Sequence, residues 1–203
     1  MPVSLTQADG LHLSALATLA QLNADSTARE FAAGLLATAL AHIENHRLTL
    51  AEALHHPGPE FEPLLAALLA LDGEVAAVVD DDRRVFPLSG FLSYRARLPL
   101  DRFPPADVRL PPLNPNGHYM LAVVGGGYLA VRTDLHPTLR VTGHVRLVLA
   151  NGSGAPLRLL AVEQRLDRQV LTESLIAAAL AAAGPTLSAT VQRQIAHSLR
   201  QLI

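Results

Sequence analysis

The run Pro63-Leu-Leu-Ala-Ala-Leu-Leu-Ala-Leu71 contains no polar side chain. A helix that is apolar on every side has to be buried on every side. The run is far short of the roughly 20 residues that cross a bilayer, so it predicts a core helix inside a folded domain. Leu175–Ala183 is the other long apolar stretch and reads as a second short, Ala/Leu-rich core helix. With 203 residues, 50% of them hydrophobic and 17% charged, the chain is large enough to build a core around such helices. The same composition suits a protein that covers an apolar face with a partner.

Strand-like and helix-like segments surround this run. Leu11-His-Leu-Ser-Ala-Leu16 alternates as a short strand does and leads into a helical stretch ending near Asp25. Thr27-Ala-Arg-Glu30 has the spacing of a capping box. It predicts a helix with Phe31, Leu35, Ala39 and Ile43 on one face, ending near Asn45-His46. After a loop containing Pro57-Gly58-Pro59 comes the apolar helix. Glu74–Val79 and Arg83–Phe86 then predict a hairpin across Asp80-Asp-Asp82, and Ala106–Leu110 a further strand. His118–Val124 and Tyr128–Arg132 are two apolar runs around Gly125-Gly-Gly127, and Thr142–Leu149 alternates as a strand before a turn at Asn151-Gly-Ser-Gly154. Two helices close the chain. One spans Thr172–Ala183, with Thr172 as N-cap and Gly184-Pro185 as stop; the other runs from about Ser188 to Leu202. Strands mixed with segregated helices define an α+β chain, with a boundary expected near Leu135-His136-Pro137.

Composition removes several function classes. There is no cysteine, so this chain supplies no disulfide, iron–sulfur ligand or reactive thiolate. Every basic residue is Arg, which rules out a lysine Schiff base and a P-loop lysine. The net charge of −2 gives no electrostatic case for nucleic acid or an anionic membrane. The first residues lack a basic region followed by an apolar one, so a cytoplasmic protein without a signal peptide is expected.

Four constellations invite a functional reading. His42 and His46 stand four apart on a predicted helix, with His55 and His56 nearby. A metal needs a third ligand, and a zinc protease needs Glu directly after the first His, whereas Glu44 is two residues on. Solvated helix-end histidines are the simpler reading, and a metal or small-molecule module is the alternative. Gly125-Gly-Gly127 is followed by strand-like sequence, which favours a hairpin turn over a phosphate cradle. Asp80-Asp-Asp-Arg-Arg84 reads as a solvated turn, and the Asn151-Gly-Ser153 sequon as a turn too. No nucleophile stands beside a base, and no carboxylates are poised for acid–base work. Spacing alone gives no enzyme.

Taken in order, however, the segments resemble the FAD-binding (medium, flavoprotein) subunit of molybdenum hydroxylases of the xanthine dehydrogenase and carbon monoxide dehydrogenase family. Leu11-His-Leu-Ser-Ala-Leu-Ala-Thr-Leu-Ala20 is similar to that family's "LRIGALTTLAEL", and Ile43-Glu-Asn-His-Arg-Leu-Thr-Leu50 to its "IRNRGTLGGNL". Pro63–Val75 resembles "PALLALDAEV", Arg84–Leu92 "RRVPLDDFL", and Asp107–Pro111 "TEVRLPPP". Val145–Ala150, Ala155–Arg158 and Glu163–Leu166 follow "ARIALGGVAPTPVRAREAEAAL", and Leu171-Thr-Glu-Ser-Leu175 begins the helix after it.

The resemblance implies a second FAD-subdomain-like antiparallel sheet with flanking helices over 1–134 and a flavoprotein C-terminal-like domain over 135–203. It also implies that the family's N-terminal pyrophosphate subdomain is missing here. FAD is the implied cofactor, with Thr49, Glu62 and Tyr119 at positions of flavin contacts. The departures lie at the same places. The family's Gly-Gly-Asn is replaced by Ala51-Glu52-Ala53, which obstructs a diphosphate sterically and electrostatically. A Tyr-x-Lys-x-x-x-Arg pattern keeps only Tyr119, with Leu121 and Gly125 at its basic positions. The expectation is a degenerate relative of an oxidoreductase subunit that acts in structure or assembly without its own FAD. Its implied partners are a molybdenum-cofactor subunit and an iron–sulfur subunit, or another flavoprotein subunit. The alternative is a working FAD electron-transfer subunit completed by a partner chain.

Overall fold

The computed structural model describes residues 2–7, 9–56, 58–79, 82–97, 99–184 and 187–201. In chain order the strands are β1 (Ser4–Gln7), β2 (Gly10–Ser14), β3 (Glu74–Val79), β4 (Asp82–Pro87), β5 (Pro105–Leu110), β6 (Gly117–Val124), β7 (Gly127–Leu135), β8 (Thr142–Ala150) and β9 (Leu157–Arg158). Helices α1 (Leu19–Ala24), α2 (Ser26–Glu30), α3 (Leu35–Ala41), α4 (Leu50–His55) and α5 (Glu62–Ala70) lie between β2 and β3. Helix α6 (Leu88–Tyr94) follows β4, and α7 (Leu160–Leu166), α8 (Glu173–Ala182) and α9 (Ala189–Arg200) follow β9.

Two antiparallel sheets organise the molecule, one in the order β1-β2-β5-β3-β4 and the other β6-β7-β8-β9. Every residue of α5 is buried: the helix packs on β7 and β8 of the second sheet and shares a core with the first. Leu11, Leu13, Val75, Val108 and Leu110 of the first sheet join α5 in one core, together with Ala130, Val148 and Ala150 of the second. The opposite face of the second sheet presents Leu129, Val131, Val145, Leu147 and Leu149 to Val162, Ile176, Leu180, Ile195 and Leu199 of α7–α9. Strands β7 and β8 are therefore covered on both faces, which explains the apolar runs Leu129–Val131 and Leu147–Ala150. Small side chains at Ala130 and Ala150 let α5 approach on one side, while Leu and Val fill the thicker core on the other. This is the α+β architecture of antiparallel sheets with flanking helices that the sequence predicts.

Several local expectations are corrected. The Thr27–Glu30 capping box does not form, because Asp25 already caps α2: its carboxylate accepts from the Ala28 N–H at 2.9 Å and from the Ser4 hydroxyl at 2.6 Å. The long helix from Phe31 to Ile43 is broken. Ala32 and Ala33 take left-handed φ values of 53° and 51°, and the chain passes through one 3-10 turn before α3. Leu35, Ala39 and Ile43 are nonetheless buried, as their spacing predicts. Hydrogen bonding changes from one sheet to the other across residues 111–116, and β7 runs on to Leu135. Pro57, Asp80 and Asp81 of the predicted turns, the Pro185 helix stop and Leu202 lie outside the described residues.

Candidate functional site

Thr49 caps α4. The segment before it is fixed by two backbone bonds, Leu19 N–H to Leu48 O and Leu50 N–H to Ala17 O, both 2.9 Å, which set Thr18 against Thr49 and bring the N-termini of α1 and α4 together. The capping box is closed by Glu52. Its Oε2 accepts from the Thr49 N–H at 2.7 Å and from the Thr49 hydroxyl at 2.8 Å, while Thr49 Oγ1 accepts from the Glu52 N–H at 3.2 Å. The Thr49 N–H, then its hydroxyl, hold the Glu52 carboxyl below its ordinary value, with slight burial opposing. Ala51 and Ala53 turn their methyl groups into the core. The start of α4 thus has its own anion in place, and its small residues are filled in by packing.

Glu62 opens α5 and is 1% exposed. Its two oxygens are both taken: Oε2 accepts from the Gly152 N–H at 2.7 Å, and Oε1 from the Gly154 N–H. Arg95 completes the group, donating to Gly154 O and to Leu54 O, the latter at 3.5 Å. Burial lowers the Arg95 guanidinium, and the neighbouring Glu62 charge opposes that shift. The Asn151–Gly154 turn predicted from sequence is therefore a docking loop, gripped by a carboxylate from the other end of the fold.

Tyr119 lies on β6 opposite Arg132, and its hydroxyl donates to Asn114 O at 3.4 Å. Burial raises its phenol above the ordinary value, with Arg132 opposing and Asp134 adding to the rise. It borders a groove with Phe31, Ala33, Leu113 and Pro115 that neither Thr49 nor Glu62 lines. The three candidate contacts therefore serve three different local structures. Leu121 packs on the first core, and Gly125 forms the β6–β7 turn with its N–H donated to Gln194 Oε1 at 2.7 Å.

The histidines diverge. Helix α3 ends at Ala41, so His42 and His46 share no helix face, and the His42 ring sits 4.9 Å from that of Tyr128. His55 stands edge-on to Phe91 at 5.1 Å, and burial, joined by Arg95, lowers its imidazole against a raising contact with the Phe103 backbone. His56 packs on Phe61 at 5.0 Å, and its Nδ1 accepts from the Gly58 N–H. Among the described residues, no group of three or more His, Cys, Asp and Glu is placed to hold a metal ion.

Sequence reasoning missed a charged cluster at the end of α5. Asp72 accepts from Arg146 Nε at 2.7 Å, faces Arg132 at 3.4 Å and lies 3.9 Å from Arg158. Arg158 also binds the buried Glu163 at 2.5 Å, and Glu163 in turn accepts the Leu147 N–H at 3.0 Å. The Glu163 hydrogen bond and charge, with Asp72, raise the Arg158 guanidinium against the effect of burial. The sequence signal was Arg132 and Arg146 next to the apolar runs Leu129–Val131 and Leu147–Ala150.

No protein-family model matches the sequence, and no curated protein does. Solved structures do match. A chain of a carbon monoxide dehydrogenase from Hydrogenophaga pseudoflava aligns with 98% of this chain and 75% of its own length, at 17% identity and a TM-score of 0.78. A CO dehydrogenase from Oligotropha carboxidovorans covers the same shares at 13% identity and a TM-score of 0.76. Quinoline 2-oxidoreductase from Pseudomonas putida 86 covers 97% of this chain and 72% of its own, at 20% identity and a TM-score of 0.67. The fold is shared with these carbon monoxide dehydrogenase and quinoline 2-oxidoreductase chains. No helix among the described residues is long and apolar enough to cross a membrane.

Proposed function

We propose that this chain is a non-enzymatic subunit that retains the fold of a molybdenum-hydroxylase flavoprotein subunit and acts in structure or assembly without FAD of its own. The observation that carries this reading is the commitment of Thr49 and Glu62. A pyrophosphate binds through backbone N–H groups and positive charge. Here the Thr49 N–H and hydroxyl already serve a carboxylate, and both oxygens of Glu62 serve Gly152 and Gly154. Leu121 is committed to the core and Gly125 to a turn, so neither supplies a cation. The residues present do not fit FAD.

What remains is a scaffold with two well-formed cores and apolar side chains exposed around its second sheet, among them Val123, Leu157 and Leu160. Its partners on this reading are a molybdenum-cofactor subunit and an iron–sulfur subunit, or another flavoprotein subunit, in the cytoplasm. The test is the absorbance spectrum of freshly isolated protein, followed by FAD titration alone and with its co-purifying chains. A colourless protein that does not quench flavin fluorescence in either mixture is expected. Stoichiometric yellow flavin on the isolated chain overturns the proposal, and flavin bound only in the mixture replaces it with an electron-transfer subunit completed in trans.

A further inference from the structure

Asn-Gly is the dipeptide at which a chain most readily modifies itself. The glycine nitrogen attacks the asparagine Cγ, ammonia leaves, and water opens the resulting succinimide to Asp or isoaspartate. Glycine favours the step because no side chain obstructs its nitrogen. The sequence holds two such dipeptides, Asn116-Gly117 and Asn151-Gly152. Both asparagines are exposed, one directly before β6 and the other directly after β8. Asn114 is exempt, because Pro115 has no N–H to lose.

The fold treats the two dipeptides differently. The Gly152 N–H donates at 2.7 Å to Oε2 of Glu62, a residue that is 1% exposed. The nitrogen must give up that proton before it attacks. The negative charge it gains would then face a buried carboxylate, where like charges repel most strongly. The Asn151 side chain is occupied as well, its Oδ1 accepting the Ser153 N–H at 3.3 Å. The Gly117 N–H instead donates to a neutral acceptor, Asn114 O, at 2.9 Å within an exposed turn. Water can replace that bond. Among the described residues the Asn116 side-chain amide has no hydrogen-bond partner.

We propose that Asn116 is a site of spontaneous deamidation and that the Glu62 carboxylate protects the same dipeptide at Asn151. The bond from Gly117 N to Asn116 Cγ forms and the Cγ–NH2 bond breaks. The amide proton passes to solvent, and the leaving nitrogen takes a proton from it. Water is the only co-reactant. Either product adds a carboxylate to the groove lined by Asp134, His136 and His144. Isoaspartate also lengthens the backbone by one methylene at the residue whose carbonyl accepts the Leu135 N–H at 3.2 Å, where β6 begins. The inference is independent of whether flavin binds.

Peptide mass spectrometry of the full chain, aged at mildly alkaline pH, tests it. Trypsin separates the sites onto Leu110–Arg132 and Leu147–Arg158. In the folded chain Asn116 is expected to convert at least about tenfold faster than Asn151, and in guanidinium the two rates are expected to agree within about twofold. Glu62→Gln keeps the shape of the side chain and removes its charge. It is expected to speed conversion of Asn151 by about tenfold and to leave Asn116 unchanged. Equal rates at the two sites of the folded wild-type chain overturn the proposal, as does an E62Q chain whose Asn151 is as slow as in wild type. If E62Q unfolds, the wild-type ratio with and without denaturant decides the matter by itself.

Discussion

The starts of α4 and α5 solve the same problem with the same chemical group and differ in where they solve it. At α4, Glu52 bends back onto Thr49 three residues away, in solvent. At α5, Glu62 reaches backbone amides some 90 residues along the chain, at 1% exposure. A carboxylate in water loses little when its partner is lost, because water replaces the bond. A buried one leaves orphaned amides and an unpaired Arg95 behind. The first site is thus a local cap and the second a joint between α5 and the turn after β8. Both consume donors or acceptors that a cofactor at these positions would require.

Substitutions sharpen this contrast. Glu62→Ala is expected to destabilise the fold by about 3 kcal/mol in denaturant unfolding, since the Gly152 and Gly154 amides and Arg95 all lose their partner. A loss below 1 kcal/mol breaks the distinction between joint and cap. Glu62→Gln keeps one acceptor oxygen and is expected to fall about midway between. Thr49→Ala removes the side-chain half of the α4 cap and is expected to cost about 1 kcal/mol. The smallest effect is that of pH. The folded Glu52 carboxyl is held below its ordinary value of 4.5, so its contribution is present above that value and fades as pH falls through the lower folded value. Glu52→Gln keeps the box without the charge. Its melting temperature is expected to lie slightly below wild type near neutrality and to converge with it in acid.

The contrast also marks how far the sequence is legible. The Pro63–Leu71 helix, the β3–β4 hairpin and the β6–β7 turn follow from apolar periodicity and glycine placement, which are local signals. The capping boxes do not follow from spacing alone. Thr18–Gln21, Thr27–Glu30 and Thr49–Glu52 share one pattern, and Asp25 in front of the second, with the Thr18–Thr49 pairing, decides which of them form. The kink at Ala32-Ala33 uses the best helix former, so only Gly34 hinted at it. Thr49, Glu62 and Tyr119 were singled out by the family resemblance and not by a local signal. That Glu62 grips the Asn151–Gly154 turn, and that Asp72 gathers Arg132, Arg146 and Arg158, are long-range pairings with no local trace.

The central claim, that the groups suited to a flavin are spent on the fold itself, is tested most directly by titrating purified chain with FAD and following flavin fluorescence. No saturable quenching is expected up to about 100 µM, a weaker affinity than any stable cofactor site shows. Saturable binding at one flavin per chain, abolished by Thr49→Ala, contradicts it.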